Sequence, residues 1–280
     1  MNDEGACSGA GTVERLTQAR IALSSTAEHV DHLHMEALQR VTGLPIVAPD
    51  AWERERLTHV LVLGTDGLTL TCAGPLAALG SLRLDYGRGR LGHRLQSPIG
   101  RKHPLARALG LRSGQPCPEV LDATGGLGRD ALLMARLGCR VVLCERNPVM
   151  VQLLSDALAR GSESSKDLMQ AIGRVRLVAT DARAYLGQCD QGSTPALIYL
   201  DPMYPHRTKR ALVKQELRVL RSLVGSDADA AELFHVAMAS RCSRVVVKRP
   251  KGAPNIAGVS PHHQVLLPGS RYDVYRPISL

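Results

Sequence analysis

The sequence predicts an α/β fold, a doubly wound parallel sheet preceded by a smaller α+β segment, and three observations carry that expectation. After Pro118, short apolar runs alternate with amphipathic stretches, the first run closes on a glycine-rich turn, and four successive runs end in an acid. Strands that alternate with helices argue for parallel strands joined by crossovers, with helices on both faces.

The first forty residues are polar and rich in small side chains, with a helix expected from about 27 to 40 and no clear core signature. "HVLVLGTDGLTLTCAG" reads as a hairpin, because two apolar runs flank Thr65, Asp66 and Gly67, the type of sequence that supplies positive φ in a tight turn. A basic segment over 83–112 follows, in which Arg83, Arg88, Arg90, Arg94, Arg101, Lys102, Arg107 and Arg112 face the single acid Asp85. "HPLARALGL" within it reads as a short helix, and "RSGQPCP" has the composition of a linker, so the chain divides into 1–115 and 116–280. In the second part "EVLDATGG" is a strand ending in glycines, "GRDALLMARLG" a helix closed by Gly138, and "RVVLCERNP" a second strand. "PVMVQLLSDALARG" is a helix, "VRLVATDA" and "PALIYLDP" the third and fourth strands, and "RTKRALVKQELRVLRSLVG" and "DADAAELFHVAMAS" helices. "SRVVVKRP" is a fifth strand, and "QVLLPGSRYDVYRP" a closing hairpin.

Composition narrows the functional classes. With 280 residues, 44% of them hydrophobic, the chain can bury a full core. No run approaches the roughly eighteen apolar residues of a membrane span, and the first residues lack the basic start and apolar stretch of a signal peptide, so a cytoplasmic location is expected. Seven scattered cysteines without a C-x-x-C pair indicate neither a disulfide framework nor a zinc site. "EHVDHLHMEA" brings His29, His32, His34 and Glu36 together, but on a polar helix this reads as a solvated face, and no metal is expected. The formal charge of +9 points to a polyanionic partner, most simply nucleic acid.

In doubly wound sheets the ligand sits beyond the carboxyl ends of the strands. Here those ends carry Asp122 with the following "ATGGLG", then Glu145, Asp181 and Asp201. Gly125, Gly126 and Gly128 let backbone approach a ligand closely and turn into the next helix. Glu145 stands near the spacing at which an acid accepts hydrogen bonds from the ribose hydroxyls of a nucleotide-like cofactor. A glycine-rich turn with a solvated acid downstream is the plainer alternative. The stretch "LDPMY" adds a second constraint. An exocyclic amine on a planar base is a poor nucleophile, because its lone pair is delocalised into the ring, so an acceptor has to hold it in line. Asp201 supplies a carboxylate, the Pro202 carbonyl a second acceptor, and Tyr204 a face on which a flipped or single-stranded base stacks. The alternative is a strand-ending Asp-Pro turn with a packed tyrosine. Downstream, Arg207, Arg210, Lys214, Arg218 and Arg221 recur at three- and four-residue intervals, a stripe suited to phosphates or simply to water, and Lys248, Arg249 and Lys251 extend the same surface.

"LDATGGLGRDALLMARLGCRVVLCERNPVM", "YLDPMYPHRTKRALVKQELRVLRSLVG", "VVVKRPKGAP" and "RYDVY" together resemble the RsmJ family, bacterial S-adenosylmethionine-dependent methyltransferases that modify a guanine N2 near the 3′ end of 16S ribosomal RNA. The resemblance runs from about residue 82 to the end. It implies a class I methyltransferase fold with a small amino-terminal α+β domain, S-adenosylmethionine as cofactor, and 16S ribosomal RNA or the small ribosomal subunit as partner, without membrane or metal. By motif matching it places cofactor contacts on Arg129 and Asp130, Glu145 and Arg146, Asp181 and Ala182, and Asp201. The reaction it implies is direct in-line methyl transfer. Other classes remain open at this point: a methyltransferase acting on adenine N6 or a protein glutamine, a nicotinamide-dependent oxidoreductase, and a non-catalytic RNA-binding module.

Overall fold

The computed structural model describes residues 20–26, 32–88, 92, 99–189, 194–203 and 215–277. A small sheet comes first, with strands in the order β1-β2-β3-β4: β1 (Ile21–Ser25), β2 (His59–Gly64), β3 (Gly67–Cys72) and β4 (Ser81–Leu82). The β2–β3 hairpin turns where expected, with Gly67 at φ +104°, and a side chain there would fall 2.5 Å from Arg160 Nε. Strand β1, parallel to β2 and buried over Ala22 and Leu23, was not anticipated, since "IALSS" mixes serines into a short run. Helix α1 (His32–Thr42) buries Met35 and Leu38; residues 27–31 of the expected helix lie outside the described residues. Helix α2 (Pro104–Leu109) is capped by the His103 ring, which accepts from the Leu105 amide at 3.2 Å.

The large sheet contains β5 (Glu119–Asp122), β6 (Arg140–Glu145), β7 (Val175–Ala179), β8 (Leu197–Leu200), β9 (Arg244–Pro250), β10 (His263–Leu266) and β11 (Ser270–Tyr275). Their spatial order is β10-β11-β9-β8-β5-β6-β7. Strands β5 to β9 run parallel, while β11 lies antiparallel between β9 and β10. The helices of this part are α3 (Arg129–Arg136), α4 (Pro148–Gly161), α5 (Lys166–Ile172), α6 (Ala182–Gly187), α7 (Gln215–Val224) and α8 (Ala230–Ala239). Helices α5 and α6, of seven and six residues, were not anticipated.

Alternate strand residues part to opposite faces, the period-two geometry of a sheet buried on both sides. Val120, Val141, Leu143, Tyr199 and Val246 meet apolar residues of α2 to α5 and α7, whereas Leu121, Val142, Ile198, Leu200 and Val247 meet those of α6 and α8. The first of these clusters also takes in Leu61, Leu63, Leu68, Leu70 and Leu82 of the small sheet. Polar contacts follow the same seam: Tyr86 Oη donates to the Leu127 carbonyl at 3.0 Å, and His59 Nε2 lies 2.9 Å from Ser222 Oγ. Among the described residues no helix is long and apolar enough to cross a membrane, and no group of three or more His, Cys, Asp or Glu could hold a metal ion.

Candidate active site

At the carboxyl end of β5 the chain leaves the sheet through a loop tied to both neighbouring strands. The Ala123 amide donates to the Tyr199 carbonyl of β8 at 2.9 Å, and the Gly125 amide to the Cys144 carbonyl of β6 at 2.9 Å. Thr124 Oγ1 accepts from the Asp201 amide at 2.7 Å, so the loop also fixes the start of the Asp-Pro segment. A side chain at Gly125 would fall 2.9 Å from the Cys144 carbonyl, and one at Gly128, whose φ is +67°, would fall 2.6 Å from Tyr86 Oη. Asp122 lies beneath this loop: it is 2% exposed, its Oδ1 accepts from the Thr124 amide at 3.2 Å, and burial pushes its carboxyl well above the usual range.

A cavity of about 310 Å³ opens beyond β5, β6 and β7. Glu145 lines it with an oriented carboxylate, because Oε2 accepts from the Gly126 amide at 3.0 Å and Oε1 from the Asn147 amide at 2.8 Å. Burial raises its carboxyl, and these backbone donors oppose the rise. Asp181 has two tasks, capping α6 through the Arg183 amide at 2.8 Å and accepting from Arg183 Nε at 2.9 Å. The Arg183 guanidinium holds the Asp181 carboxyl down at about 2. Across the cavity mouth Arg146 pairs with Asp181, Asp227 and Asp229. Ala182 and Leu233 add apolar wall.

A second cavity, of about 470 Å³, lies on the other side of the glycine loop, and the two share Thr124, Gly125, Gly126, Asp201, Pro202 and Met203. Gly128, Arg129, Asp130, Tyr199, Arg221 and Lys248 line it. Lys248 Nζ stands 2.7 Å from Asp130 Oδ2 and 2.8 Å from Asp201 Oδ2, and Tyr199 Oη donates to Asp130 Oδ2 at 2.7 Å. Burial raises the Asp201 carboxyl, with the Lys248 ammonium pulling the other way. For Lys248 burial disfavours the charge, but the two carboxylates outweigh it and raise the ammonium's pKa. The Asp201–Met203 segment is pinned at its far end too, where the Met203 amide donates to Asp227 Oδ2 at 2.7 Å.

The expected site residues therefore sort by position. Gly125, Gly126, Glu145, Arg146, Asp181, Ala182, Asp201 and Pro202 border the first cavity, while Asp122, Gly128, Arg129 and Asp130 border only the second. Arg129 pairs with Glu216 of α7. Of the basic residues expected to extend the phosphate-binding surface, Arg249 is 4% exposed and donates to the Pro254 carbonyl at 2.6 Å, and Lys248 is turned inward to two carboxylates; both line the second cavity. Arg218 is exposed on α7, opposite the buried Val219, Leu220 and Leu223. Tyr204, Arg207, Arg210 and Lys214 lie outside the described residues. Sequence reasoning missed Thr124, Asp227 and Asp229. Thr124 offered a hydroxyl inside the glycine turn as its only signal, and the two aspartates sit in a loop, "GSDADA", without local pattern.

The lining of the first cavity suits S-adenosylmethionine. Five carboxylates, Glu145, Asp181, Asp201, Asp227 and Asp229, face two guanidiniums, Arg146 and Arg183, an excess that favours a sulfonium cation. A carboxylate offers about four acceptor positions, so Glu145 keeps capacity for ribose hydroxyls beyond its backbone donors. A parallel core whose first strand lies inside the sheet puts its switch point between β5 and β8, where the two cavities meet, and the antiparallel β11 inserted beside β9 completes the topology. That combination defines a class I S-adenosylmethionine-dependent methyltransferase. The family model described as "Putative SAM-dependent methyltransferase" matches residues 50–277. The crystal structure of a SAM-dependent methyltransferase from Neisseria gonorrhoeae superposes with a TM-score of 0.69 at 26% identity, covering 92% of this chain and 97% of that one. Ribosomal RNA small subunit methyltransferase J of Thioalkalivibrio sulfidiphilus is 44% identical over 260 residues, 93% of this chain and 99% of the relative. The protein of the same name from Ectopseudomonas mendocina is 46% identical over 245 residues, 86% of this chain and 90% of that one. The chain belongs to the ribosomal RNA small subunit methyltransferase J family. The likeness reaches further toward the amino terminus than the motifs that first suggested it.

Proposed function

We propose that the protein methylates the exocyclic N2 of a guanine near the 3′ end of 16S ribosomal RNA, on the RNA or the small subunit, in the cytoplasm. The observation that carries this reading is Asp201, an acceptor held at the junction of a cofactor-sized cavity and a second, larger one. Bound S-adenosylmethionine supplies an activated methyl group on a sulfonium, and needs no covalent enzyme intermediate. Of the residues that line the first cavity, Glu145 would accept from the ribose hydroxyls of the cofactor, and Asp181 and Ala182 would border its adenine. The second cavity receives the target base. There Asp201 accepts from the amine N–H and aligns its nitrogen with the first cavity, a contribution of orientation and desolvation. As the nitrogen becomes cationic, its proton passes to the Asp201 carboxylate and from there to water. Thr124 and Asp227 hold the segment from both ends, Lys248 opposes the rise that burial imposes on the Asp201 carboxyl, and the Pro202 carbonyl is the second acceptor. Tyr204, Arg207, Arg210, Lys214 and Arg218 are assigned on sequence grounds to base stacking and to phosphates.

The experiment is methylation of 16S ribosomal RNA and of small subunits, with nucleoside analysis of the product. N2-methylguanosine is expected, and Asp201→Asn should lower the rate by roughly two orders of magnitude while RNA binding stays within about twofold. Appearance of N6-methyladenosine instead, or full activity in folded Asp201→Asn, would overturn the reading.

A further inference from the structure

The two ends of the large sheet differ in charge. The carboxyl ends border the cavities and are rich in acids. At the other end β9 begins with Arg244. In the antiparallel register of β11 on β9, Tyr275 pairs with Val245, so Arg276 comes next to Arg244 across the strands. On the outer strand His263 pairs with Val274, and the His262 amide donates to the Val274 carbonyl at 2.8 Å. The His262 and His263 rings stand edge to face at 5.6 Å. Helix α2 packs over β9, β10 and β11, and Arg244 Nη1 donates to its Ala108 carbonyl at 2.9 Å, which brings Arg112, just beyond α2, to the same corner. Burial and then the Arg276 and Arg112 guanidiniums lower the pKa of Arg244. For His263 the order is burial, Arg244, His262 and Arg276, again a lowering. Arg112, Arg276, His262 and His263 are exposed, as are Lys102 and Arg107 nearby in sequence. Among the described residues none of Arg112, Arg244, Arg276, His262 and His263 forms an ion pair with a carboxylate, whereas Arg146, Arg183 and Lys248 at the opposite end are all so paired.

Like charges across neighbouring strands destabilise a sheet, and among the described residues no carboxylate offsets them; the Ala108 carbonyl is the acceptor that Arg244 has. We propose that this corner, Arg112, Arg244, Arg276, His262 and His263, is a second docking surface that takes the phosphodiester backbone of the RNA substrate away from the methylated base. The proposal rests on the reading of the protein as a ribosomal RNA methyltransferase. Arg244 and Lys248 are separated by four residues of one extended strand, about 13 Å at about 3.3 Å per residue, so the corner and the catalytic cavities lie at opposite ends of the sheet. The corner therefore contacts nucleotides other than the target. A folded RNA long enough to pass both ends engages it, and a short oligonucleotide around the target guanine does not.

The test uses the full chain carrying Arg112→Gln and Arg276→Gln, two exposed positions outside both cavities; glutamine keeps much of the stem packing while removing charge. Binding of 16S ribosomal RNA is measured against salt, and methyl transfer is measured on that RNA and on a short guanine-containing oligonucleotide. Each lost phosphate contact should flatten the log-log salt dependence by about 0.7 to 0.9, so by about 1.4 to 1.8 for the pair, with Arg112→Gln alone giving about half. KM for the long RNA should rise several-fold at low salt with kcat unchanged, while the oligonucleotide reaction and calorimetric S-adenosylmethionine binding match wild type. An unchanged salt slope overturns the surface, and equal losses on long and short RNA overturn its remoteness from the target. Wild-type protein that binds S-adenosylmethionine but no RNA removes the ribosomal RNA reading and this surface with it.

Discussion

Replacing Lys248 with methionine removes the cation that two carboxylates share, with little change in volume. Nζ stands 2.7 Å from Asp130 and 2.8 Å from Asp201, so the substitution leaves both acids facing each other across the space it held. Breaking a buried ion pair by removing one partner costs about 3 to 5 kcal/mol. The Lys248 side chain is 28% exposed and that of Asp201 41%, which places the loss at the lower end, about 3 kcal/mol. Unfolding entropy near 2.1 cal/mol/K per residue gives about 0.6 kcal/mol/K for a chain of 280 residues. The melting temperature should then fall by about 5 °C, read by calorimetry or by circular dichroism with urea titration as the second measure. Adding Asp130→Asn to the methionine variant should return about 1 kcal/mol, because it removes one of the two opposed charges. Activity supplies an independent readout. The Asp201 carboxyl is raised by burial and restrained by Lys248, so without the ammonium it rises further. Catalysis needs the ionised form, and the acid limb of the pH–rate profile should move to higher pH. A melting temperature within about 1 °C of wild type, together with an unmoved acid limb, would refute the account of Lys248.

Glu145→Ala should weaken S-adenosylmethionine binding by roughly 1.5 to 3 kcal/mol, through loss of charge-assisted hydrogen bonds, and calorimetric titration of the folded variant checks it. Tyr204→Phe should keep most of the activity and Tyr204→Ala should lose most of it, because stacking needs the ring and not the hydroxyl; steady-state rates on ribosomal RNA decide. For pH dependence, Asp181 is held at about 2 against an ordinary 3.8, so its pairing with Arg183 adds stability above pH 3.8 and loses it as pH falls toward 2. Asp181→Asn should cost up to about 1 kcal/mol at pH 6, the value of a largely solvated pair, and urea unfolding should show that difference shrinking toward zero as pH approaches 2.

Local patterns made the strand ends legible. In "EVLD", "VVLCE" and "LIYLD" a run of apolar residues long enough for one strand stops at an acid, and alternation with helices then places all three acids at one end of a parallel sheet. The glycines were legible as a turn, though at Gly125 and Gly128 the space they leave is filled by Cys144, Glu145 and Tyr86 and not by open cavity. The basic stripe was legible as an amphipathic face at Arg218, where the neighbours Val219 and Leu220 are buried. The small sheet was only half legible, since β1 pairs with β2 across a gap in sequence that no short window spans.

Sequence by itself determined the alternation of the longer strands and helices after residue 118, the acids at the strand ends and the Asp-Pro segment, because each rests on chemistry within a few neighbouring residues. It also carried the family, through motifs whose residues are contiguous. Only the tertiary structure decided which charges are spent on one another. Lys248 and Arg249 look alike in "VVVKRP", yet the first closes a triad with Asp130 and Asp201 and the second is buried against Pro254. Asp227, without any local pattern, holds the Met203 amide and the Arg146 guanidinium together. Arg112, Arg244 and Arg276 gather at one corner although no helix or strand contains all three. The physical reason is common to these cases. A charge's role depends on the dielectric around it and on partners within a few ångströms, and those partners come from elements far apart in the chain.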